Sequence, residues 1–203
     1  MTPATISKYC QAIAAIDKDF AKAFKKLGKP APRNRAAGFE TFFSTIVSQQ
    51  ISTHAAAAIM ARAKEALPAM TPAAVIQTDK EVLRAAGLSY RKIEYATSLA
   101  EAIETGEFKV DKLTNLKDEE VIDAIIQLRG FGRWSAEIYL MFSLNRKDIF
   151  PADDLALQIA IGRLKGWEDK PTAKQARELV EHWAPYRTVG SLFLWHYYRG
   201  APT

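Results

Sequence analysis

The sequence predicts an all-helical protein, and three observations support this fold class. Apolar residues recur at spacings of three and four along most of the chain, which is the pattern of amphipathic helices and gives about ten of them. No segment shows the apolar–polar alternation of a strand or a hairpin. Glycine and proline separate the periodic segments, as expected for short connections.

The N-terminal third begins with one predicted helix over Thr5–Leu27. Gly28–Gly38 follows as a linker with two prolines, and its basic residues are expected to be loop charges. A strongly apolar helix covers Phe39–Val47. Ser52 has the side chain of an N-cap for the alanine-rich helix Thr53–Leu67. The basic residues of the linker are Lys29, Arg33 and Arg35.

The middle third contains shorter elements. A short helix follows Pro72, and a second covers Asp79–Ala86, where Gly87 ends it. Ser89 is the expected N-cap of a helix that continues to about Ile103. A polar connector then leads to an apolar helix over Val121–Leu128.

The C-terminal third starts at Gly130-Phe131-Gly132, which ends the preceding helix sharply. Helices are predicted over Trp134–Leu144, from Asp153/Asp154 to Leu164, over Thr172–Trp183 and over Tyr186–Arg199.

Composition excludes several classes of protein. The 203 residues carry 28 Lys+Arg and 23 Asp+Glu, a net charge of +5 that permits a nucleic-acid partner. The single cysteine, Cys10, excludes a disulfide framework, a cysteine-rich zinc site and an iron–sulfur cluster. The three histidines are too scattered for a metal motif. No apolar run has the length of a membrane span or of a signal peptide, so we expect a cytoplasmic protein.

The segment Gly130-Phe131-Gly132 is the first candidate functional feature. Glycine permits a very tight turn, and the phenylalanine can anchor that turn in the core. Backbone N–H groups of the turn and of the next helix would then suit a phosphate oxygen, with Arg133 adding a charge. A plain bend between two helices, with glycine as a C-cap, explains the same residues.

The adjacent acids Asp153 and Asp154 are the second feature. A carboxylate at a helix start accepts hydrogen bonds from free N–H groups and is favoured by the helix dipole. Capping accounts for one of these residues without any chemistry, and the other is then available for catalysis.

Three stretches in this order carry a resemblance to a known family: FSTIVSQQIS (Phe43–Ser52), LRGFGRWSA (Leu128–Ala136) and FPADDLALQ (Phe150–Gln158). A weaker fourth is Arg187–Tyr197. The chain resembles the helix-hairpin-helix (HhH-GPD) superfamily of DNA glycosylases, and within it the DNA-3-methyladenine glycosylase II (AlkA) type. The resemblance implies a two-lobed helical bundle with a cleft between the lobes. It makes residues 1–203 a single glycosylase core, with residues 36–130 in one lobe and residues 1–35 and 131–203 in the other.

The family excises damaged bases by hydrolysing the N-glycosidic bond of a flipped nucleotide. Its motif places the catalytic aspartate at Asp154, whereas Asp153 matches a variable position and is expected to be a cap or a pocket-edge residue. Trp134 stands where strand-cutting relatives carry a lysine nucleophile. The resemblance therefore implies a monofunctional hydrolase that leaves an abasic site.

The substrate pocket implied by the resemblance is aromatic. Trp134 and Trp195 would stack on a cationic alkylated purine, with Asp153 and Ile138 also at the pocket; burial in the core is the alternative for both tryptophans. A well-known family member carries pocket tyrosines at the positions of Ile138 and Leu155, so the range of substrates does not carry over.

The resemblance also implies a DNA interface. Gln50 falls where the family inserts a wedge side chain into the gap left by the flipped base, and a polar loop between helices is the alternative. For Ser89 and Lys92, a solvated helix face explains the residues equally well without any DNA contact. The expected DNA-contacting residues are Gln49, Gln50, Ser89, Lys92, Gly130, Gly132, Arg133 and Ser135.

No cofactor is implied except a structural Na⁺ or K⁺ ion held by backbone carbonyls near Ile126, Leu128 and Phe131. The expected partner is double-stranded DNA with damaged bases, bound by a monomer that lies in the cytoplasm or, in a bacterium, at the nucleoid. Three alternatives remain open. They are a glycosylase for hypoxanthine, uracil or oxidised guanine, a non-catalytic DNA-binding module, and a helical interaction protein.

Overall fold

The computed structural model describes residues 1–200, and all regular structure in this range is helical. The α-helices are α1 (Pro3–Ile16), α2 (Lys18–Leu27), α3 (Phe39–Ser48), α4 (Thr53–Ala66), α5 (Pro72–Gln77), α6 (Lys80–Ala85), α7 (Tyr90–Glu104), α8 (Asp118–Ile126), α9 (Arg133–Phe142), α10 (Leu155–Leu164), α11 (Ala173–Leu179) and α12 (Arg187–Gly200). Two 3-10 helices cover Val110–Asn115 and Glu181–Trp183. The prediction of an all-α protein is confirmed. Within residues 1–200, no helix combines the length and hydrophobicity needed to span a bilayer.

The chain forms two units. The discontinuous unit comprises Met1–Asn34 and the chain from Glu137 onward, and the inserted unit comprises Arg35–Ala136. Helix α9 begins in the inserted unit and ends in the discontinuous unit.

The core of the discontinuous unit is aromatic. Helix α1 packs on α2 and on α12, and α10 packs on α12. The Phe20 ring lies 4.3 Å from that of Phe193 and meets the Trp183 ring edge-on at 5.3 Å, measured between centroids. All three side chains are fully buried. Such pairs add favourable electrostatics to the burial of apolar area.

The core of the inserted unit gathers around Phe42 of α3. Its ring contacts those of Phe108 and Phe131 edge-on, at centroid distances of 5.3 and 5.6 Å. Helix α7 packs on α3 and α5. Phe131 is 8% exposed, so the prediction that it anchors the Gly130–Gly132 turn in the core is confirmed.

The predicted helix Thr5–Leu27 is wrong as a single element, because the chain breaks at Asp17. The Asp17 carboxylate accepts hydrogen bonds from the N–H groups of Asp19 and Phe20, at 3.1 and 3.0 Å, and so starts α2. The apolar spacing continues through this break, which is why periodicity alone does not detect it.

Two smaller expectations also need correction. The polar connector contains the 3-10 helix Val110–Asn115, and the predicted helix Thr172–Trp183 is α-helical only over Ala173–Leu179. A 3-10 turn then completes that segment.

Asp17 is a buried carboxylate with many hydrogen-bond partners in the discontinuous unit. It is 4% exposed and accepts hydrogen bonds from Lys165 Nζ at 2.8 Å, Trp183 Nε1 at 2.7 Å and His182 Nε2 at 3.0 Å. Burial raises the pKa of Asp17, but the bonds from Lys165, Phe20 and Trp183 and the charge of Lys165 outweigh it and lower the pKa to about 2. This carboxylate joins the α1–α2 junction to the end of α10 and to the second 3-10 helix.

We expect Asp17→Asn to lower the free energy of unfolding by about 3 kcal/mol, because it leaves the partly buried Lys165 ammonium without its main counter-charge. The folded-state pKa of Asp17 lies below its ordinary value of 3.8, so its contribution is complete above about pH 4 and is lost towards pH 2. Urea unfolding measured across this pH range tests both statements.

Asp19→Asn is the matched control, since Asp19 bonds the same ammonium at 3.0 Å but its side chain is 55% exposed. Its substitution should cost less than about 1 kcal/mol. Equal losses in the two variants would contradict the role given to Asp17.

Candidate functional site

Asp154 lies at the N-terminus of α10 and caps it. Its Oδ1 accepts a hydrogen bond from Leu157 N–H at 3.0 Å, and its own N–H donates to the Pro151 carbonyl at 3.0 Å. The cap and the positive end of the helix dipole both favour the ionised carboxylate. The side chain is half-buried at this turn, and the cap bond fixes its position.

Trp195 of α12 contacts the same oxygen. Its Nε1–H donates to Asp154 Oδ1 at 3.2 Å, and the centroid of its ring lies 6.0 Å from that of Phe142. Trp195 is half-buried and is therefore not a core tryptophan. The structure thus joins two of the predicted site residues through one hydrogen bond.

Arg33 also reaches this tryptophan. Its guanidinium carbon lies 5.9 Å from the centroid of the Trp195 ring, within the range of a cation–π contact. Arg33 is an exposed residue of the linker loop, as expected, and it has this contact in addition. The sequence held no signal for the contact, because the two residues are far apart along the chain.

The turn before α10 is braced by residues that the sequence analysis gave no role. The buried Gln158 donates from Nε2 to the Ala152 carbonyl at 2.7 Å. Gln158 ends the FPADDLALQ stretch and lies one turn into α10. That position was the sequence signal for its bracing role.

The loop leading to this turn is held by the start of α12. Asp148 accepts two hydrogen bonds of 2.7 Å from the Arg187 guanidinium, and the buried Thr188 hydroxyl accepts from Ile149 N–H at 3.0 Å. Burial raises the pKa of Asp148, but the hydrogen bonds and charge of Arg187 outweigh it and lower the pKa. Helix α12 therefore both braces the loop and carries Trp195.

Asp153 and Ile138 lie in the discontinuous unit but in different surroundings. Asp153 is exposed, and its Oδ2 lies 3.5 Å from the Arg177 guanidinium. Asp154 makes the cap bond of α10, so of the two roles expected for Asp153 the cap is wrong and the pocket edge stays a prediction. Ile138 is 7% exposed on α9, and Leu155, directly after Asp154, is 58% exposed.

The turn at Gly130 belongs to the inserted unit. Gly130 has φ +85°, and a Cβ there would lie 2.3 Å from Tyr95 Cδ2. The Gly130 carbonyl accepts from Gln49 Nε2 at 2.7 Å, which ties the loop after α3 to the turn. Gly132 has ordinary backbone geometry and open space around it, so only one of the two glycines is required for the turn.

Gln50 lies in the loop between α3 and α4, is exposed, and has φ +57°. A left-handed conformation is uncommon for a residue other than glycine and costs about 1 kcal/mol. Ser52 accepts from Ala55 N–H at 3.2 Å, which confirms it as the N-cap of α4.

The polar candidates near the turn make bonds within the inserted unit. The Arg133 guanidinium forms two hydrogen bonds with Glu119, at 2.8 and 3.2 Å. Lys92 Nζ donates to the Val47 carbonyl at 2.7 Å near the end of α3, and burial lowers its pKa. Ser89 caps α7 as predicted, by accepting from Lys92 N–H at 3.3 Å.

The two remaining candidates lie in the first turn of α9. Trp134 is 42% exposed, so it is not buried in a core, and Ser135 is half-buried. Over residues 1–200, no group of three or more His, Cys, Asp or Glu side chains is arranged to hold a metal ion.

We expect Gly130→Ala to lower the free energy of unfolding by about 2 kcal/mol, because the new Cβ meets the Tyr95 ring and the positive φ is strained for alanine. Chemical denaturation of the two proteins measures the difference.

Gly132→Ala is the control two residues away, where a Cβ meets nothing within 4 Å. Its effect should be within about 0.5 kcal/mol of zero. If both variants are equally stable, the turn does not depend on Gly130 as described.

Comparison with known proteins agrees with this geometry. Residues 43–185 match the model of the HhH-GPD superfamily base excision DNA repair protein. DNA-3-methyladenine glycosylase 1 of Schizosaccharomyces pombe is 33% identical over 192 residues, which cover 90% of this chain and 83% of the relative.

Two solved structures share the fold. One is the S. pombe 3-methyladenine DNA glycosylase Mag1 in complex with abasic DNA, with a TM-score of 0.86 and 32% identity over 96% of this chain and 98% of that chain. The other is a DNA-3-methyladenine glycosidase from Bacillus halodurans, with a TM-score of 0.83 and 30% identity over 98% of this chain and 90% of that chain. From the family match and these likenesses, the chain belongs to the HhH-GPD superfamily of base excision DNA repair proteins.

Proposed function

We propose that this protein is a DNA glycosylase that releases alkylated purines, such as 3-methyladenine and 7-methylguanine, by hydrolysing the N-glycosidic bond. The names of its relatives support the substrate class. The observation that carries the proposal is the Asp154 carboxylate, which α10 and Trp195 hold through a single oxygen.

Asp154 stabilises the positive charge that develops on the sugar. Breaking a glycosidic bond passes through an oxocarbenium-like transition state, which a preorganised carboxylate favours. The carboxylate needs no reorganisation when the charge appears, because the cap and the indole N–H already fix it. The base departs with the electrons of the glycosidic bond, a water molecule supplies the hydroxyl group at the sugar carbon, and the remaining proton of that water passes to solvent.

Trp195 has two roles in this proposal. Its N–H orients Asp154, and its ring face attracts a cationic alkylated base by about 0.5–2 kcal/mol. Such a base is already a good leaving group, so the reaction needs little acid catalysis. Asp153 and Ile138, which belong to the same unit as Trp195, are proposed to lie at the edge of the pocket.

DNA binding falls to the turn at Gly130 and the loop after α3. Backbone N–H groups of the turn and the first turn of α9, near Gly132 and Ser135, would bind a phosphate. The target base must leave the stack before its glycosidic bond can meet the half-buried Asp154 carboxylate. Gln50, exposed and in a strained conformation, is proposed to fill the resulting gap.

Four further residues complete the proposed interface. Gln49 holds the turn in place, and Arg133, Ser89 and Lys92 would contribute phosphate contacts in addition to their bonds within the unit. An ammonium group has three donors, so the bond from Lys92 to Val47 leaves capacity for a phosphate oxygen.

We also propose a structural Na⁺ or K⁺ ion at the turn, held by the carbonyls of Ile126, Leu128 and Phe131. Neutral carbonyl oxygens are ligands that hard cations accept, so the donor set fits. The Leu128 carbonyl accepts from Phe131 N–H at 3.1 Å and retains a second lone pair. When bound, the ion adds positive charge beside the phosphate-binding amides.

The product is an intact strand with an abasic site. Trp134 occupies the position of the lysine nucleophile of strand-cutting relatives, and tryptophan forms no Schiff base.

We place the protein as a monomer in the compartment that holds the DNA, which is the cytoplasm if the source is bacterial.

The test is base release from methylated duplex DNA by the wild-type protein, Asp154→Asn and Asp153→Asn. Asparagine is as good an N-cap as aspartate, so Asp154→Asn removes the charge and keeps the helix start. We expect single-turnover release to slow by about 100- to 1,000-fold in Asp154→Asn. Asp153→Asn alters an exposed carboxylate that is paired with Arg177 at the proposed pocket edge, so it should slow release far less, by under about tenfold.

Chromatography identifies the released bases, and an alkali-treated gel reports the abasic sites. Near-wild-type release by Asp154→Asn would reject its role. Release of only hypoxanthine, uracil or oxidised guanine from a lesion panel would assign a different substrate. DNA binding without any release would make the protein a binding module.

A further inference from the structure

The linker between α2 and α3 is held against the discontinuous unit on both sides of Arg33. Before it, His196 Nε2 donates to the Leu27 carbonyl at 3.1 Å, and Pro30 is buried. After it, Asn34 Nδ2 donates to the Met1 carbonyl at 3.3 Å. Arg33 therefore projects from a segment with fixed ends.

This placement puts a positive charge on the tryptophan that serves Asp154. The Arg33 guanidinium lies over the Trp195 ring, and the Nε1 of that ring bonds Asp154 Oδ1. An alkylated purine that stacks on Trp195 brings a second positive charge to the same indole. The two cations repel each other, whereas a neutral base that stacks on the same indole meets no such repulsion.

We propose that Arg33 is a specificity-determining residue that lowers the preference of the site for positively charged bases over neutral ones. The inference rests on the proposed function. It extends that function by assigning the discrimination between charged and neutral bases to a residue of the linker. The linker lies outside the motifs that identify the family.

The test compares equilibrium binding of two duplexes, one with a central 7-methylguanine and one with hypoxanthine. Binding is measured in an Asp154→Asn background, where excision is slow enough for equilibrium. We expect Arg33→Gln to raise the ratio of affinities, cationic over neutral, by about three- to tenfold. Arg33→Lys keeps the positive charge and therefore the repulsion, so it should leave the ratio within about twofold of the parent.

The matched control is Arg163→Gln. Arg163 forms a second arginine–aromatic pair of the same unit, with its guanidinium carbon 5.7 Å from the Tyr198 centroid. This substitution changes the net charge equally, so it should weaken both duplexes alike and leave the ratio unchanged.

An unchanged or lower ratio in Arg33→Gln would overturn the proposal, as would an equal rise in Arg163→Gln. If Arg33→Gln weakens the binding of both duplexes equally, the ratio of affinities stays unchanged and the proposal is overturned. Arg33 would then be a phosphate contact. Failure of the proposed function gives a different result, since the wild-type protein would then release no base from methylated DNA.

Discussion

The geometry of the candidate site depends on one carboxylate oxygen, Asp154 Oδ1. This oxygen accepts hydrogen bonds from the backbone of α10 and from the indole of Trp195. A cap bond is a common device of helix stability, and a catalytic carboxylate needs fixed geometry and a retained charge. In the proposed mechanism Asp154 meets both needs, because the positive end of the helix favours the charge that the sugar requires. Structural and chemical demands on Asp154 therefore coincide.

The rest of the discontinuous unit keeps that oxygen in place. Helix α10 is fixed at its start by the turn that Gln158 braces, and at its end by the bonds of Lys165 to Asp17. Helix α12 braces the preceding loop through Arg187 and presents Trp195 two turns later. Removing one partner of such an ion pair leaves the other charge without compensation, so each pair holds together the elements that it joins.

The sequence was sufficient for the all-α class, for most helix starts and for the family, because caps and periodicity are local signals. It placed Ser52, Ser89 and Phe131 correctly. It missed the break at Asp17, whose partners come from distant parts of the chain, and the contact of Arg33 with Trp195. Side-chain contacts between distant parts of the chain leave no periodic pattern, so they cannot be predicted from a single sequence.

A double-mutant cycle on Asp154 and Trp195 tests the central claim most directly. Single-turnover release of 7-methylguanine would be compared for wild type, Asp154→Asn, Trp195→Phe and the double variant; phenylalanine keeps an aromatic face and removes the N–H. If the indole acts through the carboxylate, Trp195→Phe should slow the wild-type protein several-fold more than it slows Asp154→Asn. The same loss factor in both backgrounds would show that the two residues act independently and would contradict the account.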